Sequence, residues 1–234
     1  MEKQGMKKDT PKVSVLFMLL STLFCVCLIA ANVFETKQIA FFGHSQTAGV
    51  IVFPISYIIN DVVSEVWGYK RTRLLIWLGF AMNFFFVTIG AFCDWLPGAE
   101  YWDNQEGFHN VFGLAPRIAA ASFVAFICGS FINAITMSKM KLRDREKRFP
   151  LRAVLSSVFG ECVDSLIFFP LALGGIVPAK ELPWLMLYQV ILKTAYEIIV
   201  LPLTVRIVKK VKEYEHEDVY DEKVSYNIFK LFDL

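Results

Sequence analysis

The chain has 234 residues, of which 56% are hydrophobic, and a formal net charge of only +2. Because a soluble domain usually has about 45–50% apolar residues, this composition excludes an ordinary soluble protein and indicates a lipid bilayer around most of the chain. The sequence has no glycine-rich nucleotide-binding loop and no soluble segment large enough to hydrolyse ATP, and we expect no nucleic-acid partner.

Six segments are apolar and long enough to cross a hydrocarbon core of roughly 30 Å, which takes about 20 helical residues. Backbone polar groups must be paired within lipid, so we predict helices rather than open strands. The predicted spans, in chain order, are 13–34, 47–66, 74–93, 116–138, 152–173 and 184–208. The first span is too long for a signal-peptide core and lacks a clear cleavage site, so we expect it to remain in the mature protein.

The sequence therefore predicts an all-α integral membrane protein with one six-helix transmembrane domain over residues 13–210. Most of the 24 Lys and Arg residues fall in the two tails and in the connections after the second and fourth spans. Basic loops face the cytoplasm, so we predict that both tails, 1–12 and 211–234, are cytoplasmic. The acidic stretch "EYEHEDVYDEK" is typical of a solvated tail.

The first two spans carry polar groups. Helix one ends near Asn32, on the predicted outer side. In helix two, Pro54 predicts a mid-helix kink, because proline removes a backbone hydrogen bond. Asp61 lies about a turn deeper than Glu65, which we expect at the interface, paired with Lys70 or Arg71. Ionisable residues inside a span usually face a cavity or a partner, so Asp61 is a candidate functional residue.

Between spans three and four, an acidic loop rich in aromatic residues predicts either an interfacial belt or a lid over a flat ligand. Helix four begins with Arg117, which is either a snorkelling anchor or a group at the mouth of a site. Ser122 and Gly129 belong to a set of small residues that allows neighbouring helices to approach closely.

Helices five and six contain the charges that are hardest to explain as lipid-facing. The stretch "SSVFGECVDSLIFFP" places Glu161 and Asp164 within a span, and helix six carries Lys193 and Glu197. At about 1.5 Å per residue, Asp164 and Lys193 lie at similar depths. They predict either an ion pair that fastens the two helices or a shared substrate site. Three acids outnumber one lysine there, which favours the site.

The residues give no sign of an enzyme, a metal site or a bound cofactor. All five cysteines fall within predicted spans and the three histidines lie in loops or a tail, so we expect neither disulfides nor a metal cluster. No nucleophile–base pair is apparent. We therefore expect a protein that is not an enzyme.

The segments "FPISYIINDVVSEVWGYKRTR", "RIAAASFVAFICGSFINA", "FGECVDSLIFFP" and "QVILKTAYEIIVLP" resemble the queuosine precursor transporter family, over roughly residues 13–210. That family belongs to the vitamin uptake transporter group, which is related in fold to the substrate-binding components of energy-coupling-factor transporters. The resemblance implies import of 7-cyano-7-deazaguanine, its 7-aminomethyl analogue or queuine across the cytoplasmic membrane of a bacterium. The implied substrate-binding residues are Asp164, Glu161, Lys193, Arg117, Asn32, Ser122 and Asp61. The family also uses an amide at the position of Glu161.

Other interpretations remain open from the sequence. The acids could line an ion or proton pathway, the charges could merely assemble helices, or the chain could bind another vitamin-like heterocycle for a larger transporter. If uptake is proton-coupled, Asp61 or Glu197 could be the titrating group. The sequence leaves open whether the chain forms a homodimer and whether it depends on energy-coupling subunits.

Overall fold

The computed structural model describes residues 13–34, 36–41, 44–113, 116–144, 148–175, 178–180 and 182–230. The predicted tail 1–12 lies outside the described residues. The elements are α1 (Val15–Phe34), β1 (Gln38–Phe41), β2 (His44–Thr47), a 3₁₀ turn (Ala48–Ile51), α2 (Phe53–Trp95), α3 (Gln105–Phe112), α4 (Pro116–Asp144), α5 (Phe149–Leu173) and α6 (Leu182–Glu215). The fold is helical as predicted, except for a short antiparallel hairpin in which Gln38 faces Thr47 and Phe41 faces His44.

Four helices are long and apolar enough to cross a membrane by length and composition. They cover Val15–Phe34, Pro54–Trp95, Ala120–Asp144 and Phe149–Ala172. Helix α6 is also long, with 34 residues, and it carries Lys193 and Glu197 within its apolar part. The described part of the chain is thus dominated by membrane-length helices.

Helix α2 is two helices joined at a sharp break. Gly68 has φ 77° and ψ 179°, which no helical residue adopts and which glycine reaches without steric penalty. The Ser64 hydroxyl donates to Thr72 Oγ1 at 3.1 Å, although residues eight apart in a straight helix are about 12 Å apart. The chain therefore folds back at Gly68, so the predicted second and third spans fall on the two arms of one hairpin.

The beginning of α2 corrects two predictions. Residues 47–51, which we predicted as transmembrane helix, belong to β2 and the 3₁₀ turn instead, and Val52 caps the start of α2. Pro54 stands in the first turn of α2 rather than in its middle. A proline there disrupts no helical hydrogen bond, because the first amides of a helix have no partner within it. The predicted kink at Pro54 is therefore wrong, and the break in α2 lies at Gly68.

Helices α4 and α5 pack backbone against backbone, as the small residues predict. A Cβ atom at Gly160 would lie 2.8 Å from the carbonyl oxygen of Gly129, and one at Gly129 would lie 2.9 Å from that of Gly160. The close approach fixes the position of Asp164, whose Cβ would be 3.0 Å from a Cβ at Gly129. Gly160 is thus a helix contact.

The segment after α6 is folded against the helices, so the prediction of a solvated tail is wrong. Asp221 is buried, and its carboxylate accepts hydrogen bonds from the Tyr69 amide at 2.9 Å and from the Ser138 hydroxyl. The Trp77 indole donates to the carbonyl of Ile228 at 2.8 Å. This segment, residues 216–230, covers the end of the bundle that contains Gly68, called the Gly68 end below.

Candidate functional site

A charged cluster joins α5 to α6 inside the bundle. The Lys193 ammonium lies 2.7 Å from Glu161 Oε2 and 3.6 Å from Asp164 Oδ2. The two acids are separated by three positions on α5, so they project from one helix face toward the same lysine. The structure thus brings together three of the predicted site residues, and their two carboxylates share one ammonium group.

A small cavity lies beside this cluster. It is lined by Pro54, Tyr57, Ile58, Glu161, Lys193, Tyr196 and Glu197. The Tyr57 side chain is in hydrogen-bonding contact with the Glu161 carboxylate. Asp164 is not among the cavity residues that the structure describes. The cavity volume is only about 20 Å³, so a ligand larger than a water molecule requires the surrounding helices to move apart. Its lining combines two tyrosine rings with two acids and an ammonium group, which are partners for a flat ligand with polar edges.

Asp61 belongs to a second polar group, one turn along α2 from Tyr57. It is 2% exposed, and the Asn133 amide on α4 donates to its Oδ1 at 3.2 Å. Ser157 on α5 and Glu197 on α6 neighbour its carboxylate. Glu197 also lines the cavity, so it connects this second group to the first.

The remaining predicted site residues have other surroundings. The Asn32 amide donates to Asn83 Oδ1 at 2.6 Å, which links α1 to the second arm of α2. Ser122 is half-buried on α4, and no described contact connects it to Glu161, Asp164 or Lys193. Arg117 belongs to α4, but its side chain lies outside the described residues. Their predicted role at the site stays a prediction.

Sequence reasoning missed the two tyrosines of the cavity. Tyr57 precedes Asp61 by four residues and Tyr196 follows Lys193 by three, so each shares a helix face with a residue that had been singled out. This spacing was the only feature of the sequence that we find to place the two tyrosines near the charged residues. Aromatic residues are common in apolar helices, and their side chains carry no charge that would mark them as unusual there.

The Gly68 end holds a second ionic network that the sequence did not predict. Arg152 Nη2 donates to both carboxylate oxygens of Glu65, at 2.7 and 2.8 Å, and Lys212 Nζ lies 2.9 Å from Glu65 Oε1. Asp218 pairs with Lys212 at 2.8 Å and with Lys141 at 2.5 Å. Glu65, only 1% exposed, pairs with Arg152 and Lys212, whereas the sequence predicted Lys70 or Arg71; Arg71 pairs instead with Glu217.

The loop after α2 is partly helical, and its rings contact one another. Phe108 and Phe112 on α3 have ring centroids 4.5 Å apart, and Phe112 also contacts Phe86 on α2 at 5.9 Å. His109 Nδ1 lies 2.6 Å from Asp94 Oδ2. These contacts fasten α3 to α2. Whether the loop covers a ligand stays a prediction.

A comparison with models of known protein families finds one match. A family model described as "Putative vitamin uptake transporter" matches residues 47–207. The chain belongs to this family. Because its members are transporters and the chain has several membrane-length helices, it is a multi-pass membrane protein.

Curated relatives of this vitamin uptake transporter have more specific names. A protein of Bacillus subtilis (strain 168) named "Probable queuosine precursor transporter" is 26% identical over 177 residues, which cover 74% of this chain and 76% of the relative. The "Queuosine precursor transporter" of Escherichia coli (strain K12) is 24% identical over 164 residues, covering 70% of this chain and 71% of the relative. No solved structure matches the chain.

Proposed function

We propose that this vitamin uptake transporter imports queuosine precursors, which are 7-deazaguanines, across the cytoplasmic membrane of a bacterium. The names of the two curated relatives support this substrate class. In this proposal the chain crosses the membrane six times and both termini are cytoplasmic. Helix α2 supplies two crossings, one for each arm, and α1, α4, α5 and α6 supply one each. The basic residues Arg71, Arg73, Lys141 and Arg152 at the Gly68 end support that orientation.

The observation that carries the proposal is the cavity in which Glu161 and Lys193 stand beside the rings of Tyr57 and Tyr196. A deazaguanine presents N1–H and a 2-amino group side by side, and a carboxylate can accept from both. Its O6 needs a donor, which an ammonium group supplies. Its flat faces suit aromatic rings. The cavity has each of these partners.

The two acids have different places in this scheme. Glu161 lines the cavity and lies 2.7 Å from Lys193, whereas Asp164 lies 3.6 Å from the same ammonium. We assign recognition of the N1–H and 2-amino edge to Glu161. Asp164 then holds Lys193 when the substrate engages Glu161. The depth argument from the sequence paired Asp164 with Lys193, whereas in the structure Glu161 is nearer to this ammonium group; both acids and the lysine remain site residues in the proposal.

The test is uptake in a bacterial strain that can neither make queuosine precursors nor import them, read as queuosine in tRNA. Loss of charge-assisted hydrogen bonds costs about 1.5–3 kcal/mol, so Glu161→Ala should weaken apparent affinity about 10- to 100-fold. Glu161→Gln should lose less, because an amide oxygen still accepts one hydrogen bond. Asp164→Asn should also weaken uptake.

The matched control is Glu213→Gln, which removes an acid from the exposed end of α6, where the side chain is 65% exposed. It should take up precursors like the parent. Purified protein should be stabilised against heat by 7-cyano-7-deazaguanine or queuine and not by guanosine. Unchanged uptake in both Glu161→Ala and Asp164→Asn would refute the assigned site, and absence of uptake by the parent would refute the substrate class.

A further inference from the structure

Four helices bring polar side chains together on the Gly68 side of the cavity. These are Asp61 of α2, Asn133 of α4, Ser157 of α5 and Glu197 of α6. Asn133 donates to Asp61, and the Ser157 hydroxyl neighbours both the Asp61 and the Glu197 carboxylates. Ser157 is 1% exposed, and its hydroxyl lies beside these carboxylates without reaching hydrogen-bond geometry with any of the described residues. Glu197 Oε1 is likewise buried and accepts no hydrogen bond from the described residues.

The two carboxylates of this group have no counter-ion among the residues that the structure describes. Within the described ranges, no Lys, Arg or His nitrogen lies within 4.0 Å of an Asp61 or Glu197 carboxylate oxygen, in contrast to Glu65, Glu161 and Asp164.

The other titratable groups around the pair are Glu65 and Tyr57 on α2 and Glu161 on α5. Lys193 is engaged by Glu161 and Asp164, while Arg152 and Lys212 are engaged by Glu65. The surroundings of Asp61 and Glu197 are therefore mostly acidic or neutral.

Two neighbouring acids buried without a cation cannot both be ionised at moderate cost, since each charge opposes the other and both lose hydration. A proton on one of them turns that acid into a donor. The protonated oxygen can then meet the other carboxylate or the Ser157 hydroxyl. A shared proton thus resolves both the charge and the unpaired oxygens of the group.

We propose that Asp61, Glu197 and Ser157 form a proton-binding site that couples precursor import to the proton gradient. The proposal rests on the import function above. In each cycle one carboxyl O–H bond breaks, the proton passes to water on the cytoplasmic side, and the carboxylate is reprotonated from outside. Glu197 lines the cavity and lies one turn from Lys193, so protonation at this site and occupancy of the substrate cluster influence each other.

The transport test uses the full chain in proteoliposomes, with radiolabelled 7-cyano-7-deazaguanine and queuine as probes. A gradient with the lumen one pH unit more alkaline should concentrate a probe about tenfold if one proton accompanies each molecule. Glu197→Gln and Asp61→Asn mimic the protonated acids. In each variant accumulation above equilibrium should fall by more than counterflow exchange, which needs no net proton movement, and measurable exchange shows that the variant is folded. Glu213→Gln should accumulate like the parent.

A second measurement does not need the substrate. Infrared difference spectra of the protein in lipid should show the carbonyl stretch of a protonated carboxyl group at neutral pH, and Glu197→Gln or Asp61→Asn should remove or shift it. Absence of this band in the parent overturns the proton site, whatever is transported. Accumulation by Glu197→Gln equal to that of the parent, or accumulation by the parent that follows a Na⁺ gradient instead, also overturns it. Failure of the parent to exchange either probe, with the band present, refutes the import function instead.

Discussion

At the scale of single residues, Glu65 is the most completely paired acid among the described residues, and its pairing has a structural role. Glu65 and Arg152, at 1% and 0% exposure, form a two-pronged ion pair at the Gly68 end. Removing one partner of a buried pair leaves the other charge uncompensated, which costs about 3–5 kcal/mol. Lys212, 2.9 Å from Glu65 Oε1, keeps part of the compensation, so Arg152→Met should lower the free energy of unfolding in detergent by less than that, about 1.5–3 kcal/mol for the lost charged hydrogen bonds.

The double variant Glu65→Met/Arg152→Met should be more stable than Arg152→Met alone, because replacing a whole buried pair by apolar side chains is often close to neutral. Lys212 would keep Asp218, 2.8 Å away, as its partner. A double variant that is less stable than the single one would show that this pair contributes net stability. Chain position could not reveal the pair, because Glu65 and Arg152 are 87 residues apart.

At the scale of elements, the α4–α5 contact depends on two glycines. A Cβ at Gly160 would meet the backbone oxygen of Gly129, which cannot rotate away. Overpacking of this kind costs about 1–3 kcal/mol, so Gly160→Ala should destabilise the protein by that amount in the same unfolding assay. Gly90→Ala is the matched control. Its Cβ would meet only the ring of Phe112, a side chain that can move, and its effect should be smaller. Equal losses would contradict the backbone contact.

The order and type of the helices were predictable because a bilayer demands long apolar segments with internal hydrogen bonds. Hydropathy does not show where helices begin and break. Pro54 is compatible with a kink or with a first turn, and the sequence alone favoured the kink. Gly68 was overlooked because its neighbours read as a basic loop, whereas the chain reverses at that one residue. The proximity of Glu161 and Asp164 to Lys193 could be predicted, because the depth of each residue in the membrane follows from its position along its helix once the direction of that helix is assumed.

At the scale of the whole molecule, the segment after α6 joins helices that are distant in sequence. Asp218 contacts Lys141 of α4 and Lys212 of α6, while Asp221 contacts Tyr69 of α2 and Ser138 of α4. The acidic composition predicted solvation. A second signal was present, because Val224, Tyr226 and Ile228 alternate with polar residues and all three pack on the cluster around Tyr69 and Phe131. Alternation of that kind is typical of an extended segment with one buried face.

The contribution of this segment is testable at its most buried acid. Asp221 accepts hydrogen bonds across the break at Gly68, and hydrogen bonds to charged groups contribute about 1.5–3 kcal/mol. Asp221→Ala should reduce the free energy of unfolding by at least that amount, since it also leaves the Tyr69 amide without its described partner. The neighbouring Glu222 is exposed, so Glu222→Ala should have little effect. Truncation before Glu217 should reduce the free energy of unfolding by more than Asp221→Ala does, because it also removes Asp218, the partner of Lys141 and Lys212. If the truncated chain were as stable as the full one, the segment would not hold the Gly68 end together.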